Sequence, residues 1–73
     1  NGTAQLILAN LTVDPLKILL PQIGKKLEDK GILIISGIID DRHDEIMPYI
    51  EANWHIIEER IAGPWHTFAL EKR

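Results

Sequence analysis

The stretch AQLILANLTVDP, Ala4 to Pro15, decides how the rest of the chain is read, because an apolar run passes directly into polar residues and a helix start. Gln5 apart, Ala4 to Ala9 is almost continuously apolar, which suits a strand covered on both faces and hence a parallel sheet flanked by helices. The run ends at Asn10. In open α/β sheets ligands bind in the crevice beyond the carboxyl ends of the strands, so a lone amide at this junction is a candidate contact. The plainer alternative is that Asn10 closes a turn. Asp14 and Pro15 then look like a helix start, with a carboxylate able to accept an orphan backbone N–H and a proline whose fixed φ suits the first helical position.

Outward from this junction, Leu16, Leu19, Leu20, Ile23 and Leu27 recur at helical spacing and make one apolar face. Pro21 leaves the Lys17 carbonyl without its helical donor, which predicts a kink or two short helices meeting near Leu20. Lys25, Lys26 and Lys30 oppose the negative pole of the helix, and Gly31 is the expected left-handed stop. Ile32 to Ile35 reads as a second buried strand, parallel to the first through a right-handed crossover. That topology sets Asn10 beside Ser36-Gly37, where Gly37 permits close approach.

Asp40 or Asp41 is expected to cap a second helix with Asp44 and Glu45 in its first turn, and Ile46, Met47, Ile50 and Trp54 supply its apolar stripe. Pro48 is expected to bend or shorten it, and Asn53 to end it in the left-handed region. His43 among Asp40, Asp41, Asp44 and Glu45 has metal-ligand chemistry, but a capped helix start accounts for the same carboxylates, so no metal site is expected. His55 to Ile61 and Trp65 to Glu71 form an antiparallel hairpin around Ala62-Gly63-Pro64. The last strand carries apolar groups on both faces and should be internal, whereas Glu58, Glu59 and Arg60 mark its partner as an edge. His55 and His66 are expected to be partly exposed strand residues rather than ligands.

A chain of 73 residues has room for one small domain, and a core of that size rarely supplies more than about 3–5 kcal/mol. It has no cysteine staple, so association or membership of a larger domain should support it. The net charge of −3 argues against a general nucleic-acid surface. No apolar stretch approaches the ~20 residues that span a bilayer, and no secretory leader opens the sequence, so a cytoplasmic location without a membrane partner is expected.

With ANLTVDPL, GILIISGII and the closing GPWHTFALEKR in view, the chain resembles the second half of a class I S-adenosylmethionine-dependent methyltransferase domain. Within that superfamily it is similar to the PrmA family, bacterial enzymes that methylate protein eleven of the large ribosomal subunit. Ala9-Asn10-Leu11 with Pro15-Leu16, the Ser36-Gly37-Ile38 turn, and Gly63 with Trp65 carry the resemblance, which extends over residues 1–73. It implies an α/β fold: a partial Rossmann-like sheet supplying strands 4, 5, 6 and 7 of the family's order 3-2-1-4-5-7-6, strand 7 antiparallel, flanked by two helices. It also implies S-adenosylmethionine as donor and a ribosomal protein as substrate, with Asn10 beside both the donor and the incoming amine and Leu11 continuing the donor-side loop. Thr12 and Val13 depart from the family's commoner small and aliphatic residues. Neither the glycine-rich loop nor the ribose-holding acidic residue of such folds has a counterpart here, so these residues alone are expected to be an inactive fragment.

A rival expectation is a non-catalytic α/β interaction module. In either case the strand Ala4 to Ala9 lacks lysine, proline or a bulge to protect its edge, and a homodimer through that strand is expected. A nucleotide-binding or receiver-type protein is a third possibility, opposed by the missing phosphate loop and the hairpin ending.

Overall fold

The computed structural model describes residues 3–73. Strand β1 (Ala4–Asn10) leads to helix α1 (Val13–Ile23), a short 3-10 turn (Gly24–Lys26) and the long strand β2 (Leu27–Ile39). A second 3-10 turn (Asp40–Arg42) opens helix α2 (His43–Asn53), and β3 (Trp54–Ala62) and β4 (Trp65–Lys72) close the chain as a hairpin. The sheet order is β1-β2-β4-β3, with β1 parallel to β2 and β4 antiparallel to both β2 and β3. As expected, β4 is internal and β3 an edge. This is the order 4-5-7-6 implied by the resemblance. No helix among the described residues is long and apolar enough to cross a membrane.

One face of the sheet is packed. Val13, Leu16 and Leu20 of α1 and Ile46 and Ile50 of α2 are buried with Leu33, Ile35 and Ile38 of β2, Trp54 of β3, and Phe68 and Leu70 of β4. Helical spacing on the helices and alternation on the strands supply this one core. Ile32, Ile34, Thr67 and Ala69 fall between the buried positions and are only half-buried. Covering of both faces of β1, expected from its continuous apolar run, is therefore not found: Leu6 is 54% and Leu8 70% exposed. Both helices lie on the other side, and nothing among the described residues covers this face or pairs with the outer edge of β1.

Several expected termini are corrected. Thr12, not Asp14, precedes the first turn of α1; the Asp14 carboxylate pairs with Arg42 at 2.6 Å instead of capping a backbone N–H. α1 runs through Pro21 as one helix. It ends at Ile23, so Gly31 lies inside β2, and Leu27 contributes to the core from a strand. The carbonyl of Leu20, freed in the last turn, accepts the buried Trp54 indole N–H at 3.1 Å. Asn53 is the last residue of α2 without a positive φ. Neither Asp40 nor Asp41 caps α2, which is preceded by Arg42 without a side-chain cap.

A charged clamp joins the helices. Arg42 contacts Asp14 and Glu45, and Lys17 also pairs with Glu45. The Arg42 guanidinium, then the Lys17 ammonium, hold the Glu45 carboxyl down to about 2 from its ordinary 4.5. A depressed carboxylate contributes stability that is present above its unfolded value and lost as pH falls through the folded one. The denaturation midpoint should therefore decline between about pH 4.5 and 2, with a shallower decline in Glu45→Gln. Parallel pH curves for the two proteins, by urea denaturation, would show that the clamp contributes nothing.

Candidate donor crevice and a histidine cluster

The parallel pairing of β1 with β2 places Asn10 opposite Ser36, as the sequence pattern suggested. β2 changes register against β4 between Ile35 and Ile38, and Gly37 sits in this irregularity at φ +89°. The extra residue keeps Ile38 facing the core after Ile35, while the chain passes close to the loop after β1. A Cβ on Gly37 would lie 2.8 Å from the side-chain carbonyl oxygen of Asn10 and 3.4 Å from the Leu11 carbonyl. Glycine is thus required by both conformation and space.

Asn10, Leu11 and Ser36-Gly37 are therefore adjacent at the carboxyl end of β1, where its parallel pairing with β2 stops. Asn10 and Leu11 are exposed, and Thr12 follows as the start of α1, where its carbonyl accepts the Leu16 N–H. An amide beside a backbone cradle with no room for a Cβ is chemically suited to orienting a polar ligand. A concavity of about 620 Å³ lies at the opposite end of β1, around Thr3, Gly24, Leu27 and Asp29. That is the amino-terminal end of the parallel strands and holds none of these residues.

A second polar group was not apparent in the sequence. His66, expected to be partly exposed, is only 6% exposed. Its Nδ1 lies 2.7 Å from Glu59 Oε2, and its Nε2 contacts the Asp40 carboxylate. The same Glu59 oxygen is 3.0 Å from His43 Nε2, and His43 Nδ1 is 3.3 Å from Asp44. The Asp40 carboxylate first, and Glu59 second, raise the His66 pKa above its ordinary value. Asp40, one of the two residues expected to cap α2, is thus turned toward an imidazole, while Asp44 lies in the first turn of α2 as expected and also faces His43. The hidden determinant is a β-bulge: Ile56 faces Leu70, Glu58 faces Ala69 and Glu59 faces Phe68, so Ile57 is the extra residue. It shifts the alternation of β3 by one and brings Glu59 onto the helix-covered face with His66.

The architecture is that of a solved methylase. A crystal structure of a ribosomal protein L11 methylase from Lactobacillus delbrueckii subsp. bulgaricus matches with a TM-score of 0.91 and 30% identity, covering 100% of this chain and 38% of that one. Among curated proteins, the ribosomal protein L11 methyltransferase of Caldanaerobacter subterraneus subsp. tengcongensis is 31% identical over 99% of this chain and 23% of its own length. That of Carboxydothermus hydrogenoformans is 38% identical over 99% of this chain and 24% of its own length. The chain thus spans about a quarter of the length of these relatives. The family model for ribosomal protein L11 methyltransferase (PrmA) matches residues 1–73, and the chain belongs to that family.

The close approach at Gly37 yields a direct expectation. Gly37→Ala should cost about 1–2 kcal/mol from the left-handed backbone alone, with a further loss from displacing Asn10. Urea denaturation measures the first and the amide chemical shifts of Asn10 the second. A variant as stable as the parent with Asn10 unmoved would contradict the packing described.

Proposed function

We propose that residues 1–73 form the C-terminal half of the catalytic domain of a cytoplasmic, S-adenosylmethionine-dependent protein N-methyltransferase whose substrate is a ribosomal protein. The observation that carries this is the position of Asn10, at the carboxyl end of β1 and against Gly37, in a chain of this family. The bound donor supplies an electrophilic methyl group on a sulfonium. Asn10 and Leu11 line the donor side of the crevice. The Asn10 carbonyl oxygen accepts an N–H of the incoming neutral amine and aims its lone pair along the line of transfer. Such positioning needs no protein nucleophile. Asp14 is not a base in this scheme, since its carboxylate is held by Arg42.

In the intact protein, Asn10→Ala should lower turnover by about 10²-fold, the scale of a misplaced reactant, while donor affinity changes far less. Radiolabelled methyl transfer and calorimetric donor titration separate the two. Equal losses would assign Asn10 to donor binding, and no loss in either would remove it from the site. Residues 1–73 alone carry no glycine-rich loop or ribose-holding acid, so they should be inactive and give weak or null donor binding. A micromolar dissociation constant would refute this.

The open edge of β1 favours a second property of the isolated chain, which would also be the basis of a non-catalytic module. Leu6 and Leu8 are exposed on a strand whose outer edge has no partner among the described residues. Two copies joined antiparallel at Ala4 to Ala9 would form one continuous sheet and add the stability that a small core lacks. Light scattering should give a homodimer or larger species, weakened or precipitated by Ile7→Lys. A folded monomer at micromolar concentration would contradict it. Neither nucleic acid nor membrane is proposed as a partner, in keeping with the acidic charge.

A further inference from the structure

We propose that His43, Glu59 and His66 form a zinc site that clips the start of α2 to the β3–β4 hairpin. Their three ligand atoms lie within 4.8 Å of one another. Two imidazole nitrogens, His43 Nε2 and His66 Nδ1, converge on one Glu59 oxygen at 3.0 and 2.7 Å. Ligand atoms around a tetrahedral zinc with bonds of about 2.0–2.1 Å are separated by roughly 3.3 Å. Modest side-chain rotation that evens out the three separations would seat the ion between the two imidazole nitrogens and the Glu59 oxygen.

The outer nitrogens strengthen the assignment. His66 Nε2 faces Asp40 and His43 Nδ1 faces Asp44. A metal-bound imidazole characteristically donates its other N–H to a carboxylate, which fixes the tautomer and makes the ligand more basic. Both histidines have that partner already in place. Two imidazoles and one carboxylate suit a borderline cation such as zinc better than calcium or magnesium, which take oxygen ligands. Each zinc-bound imidazole must be neutral at its coordinating nitrogen, so binding releases a proton from any ring that was charged.

Three elements meet at this point. His43 begins α2, Glu59 is on edge strand β3 and His66 is on internal strand β4. A metal there closes the helix onto the hairpin, and its fourth position is left to water. None of its three ligands is among the proposed methyl-transfer residues, and its failure would leave that assignment untouched.

The full chain, stripped of metal by chelation, should bind zinc chloride one to one with a micromolar or tighter dissociation constant by calorimetry, and its Tm should rise. Glu59→Gln keeps a hydrogen-bond acceptor but removes the anionic ligand, and His43→Ala removes a partly exposed one; each should weaken binding by about 10-fold or more. His55→Ala, an exposed histidine outside the cluster, should bind as the parent does. Absence of binding, or binding that His55→Ala weakens while Glu59→Gln and His43→Ala leave it unchanged, would overturn the proposal. Circular dichroism establishes that each variant is folded before its titration is interpreted.

Discussion

The parallel pairing of Leu6 to Asn10 with Ile32 to Ser36 is the constraint on which the remaining geometry depends. A parallel pair cannot be closed by a tight turn, so the intervening chain must cross the sheet, and α1 does so with its apolar stripe inward. Register then decides the site. It sets Asn10 opposite Ser36, and the glycine one residue later lets the two chain segments touch. A one-residue slip would turn Leu33 and Ile35 out of the core and separate Asn10 from Gly37.

Packing on a single face leaves the core small. Its large members, Trp54 and Phe68, come from the hairpin, while α1 and α2 supply branched aliphatic residues. The indole of Trp54 both fills volume and satisfies the Leu20 carbonyl at the end of α1, so one residue links the hairpin to the crossover helix. On the outer face, apolar residues at the interior of β1 and β2 remain partly or largely exposed. Their composition suits a sheet covered on both sides.

Much of this architecture was legible because it rests on local rules. Apolar runs located the strands, helical spacing located α1 and α2, and Gly63-Pro64 located the hairpin turn. The boundary errors share a cause: Leu27 and Trp54 continue a helical spacing in the sequence but begin strands in the fold, where tertiary pairing outweighs the periodic pattern. Asp14 and Asp40 are good capping residues by type, yet each found a charged or imidazole partner from another element, Arg42 and His66. The bulge at Ile57 was invisible for a related reason. One unpaired residue changes which side of β3 faces the core, and only pairing with β4 reveals it. Asn10 could be singled out from the end of the strand, whereas the His43, Glu59 and His66 cluster required three elements to be brought together.

The proposed donor crevice opens at the carboxyl end of β1. Hydrogen exchange of the intact protein, with and without S-adenosylmethionine, tests it most directly. Backbone amides of Asn10, Leu11, Ser36 and Gly37 should become protected on donor addition, while those at the Gly63 turn remain unchanged. Donor binding that leaves all four amides unaltered, with protection confined to other parts of the chain, would contradict the claim.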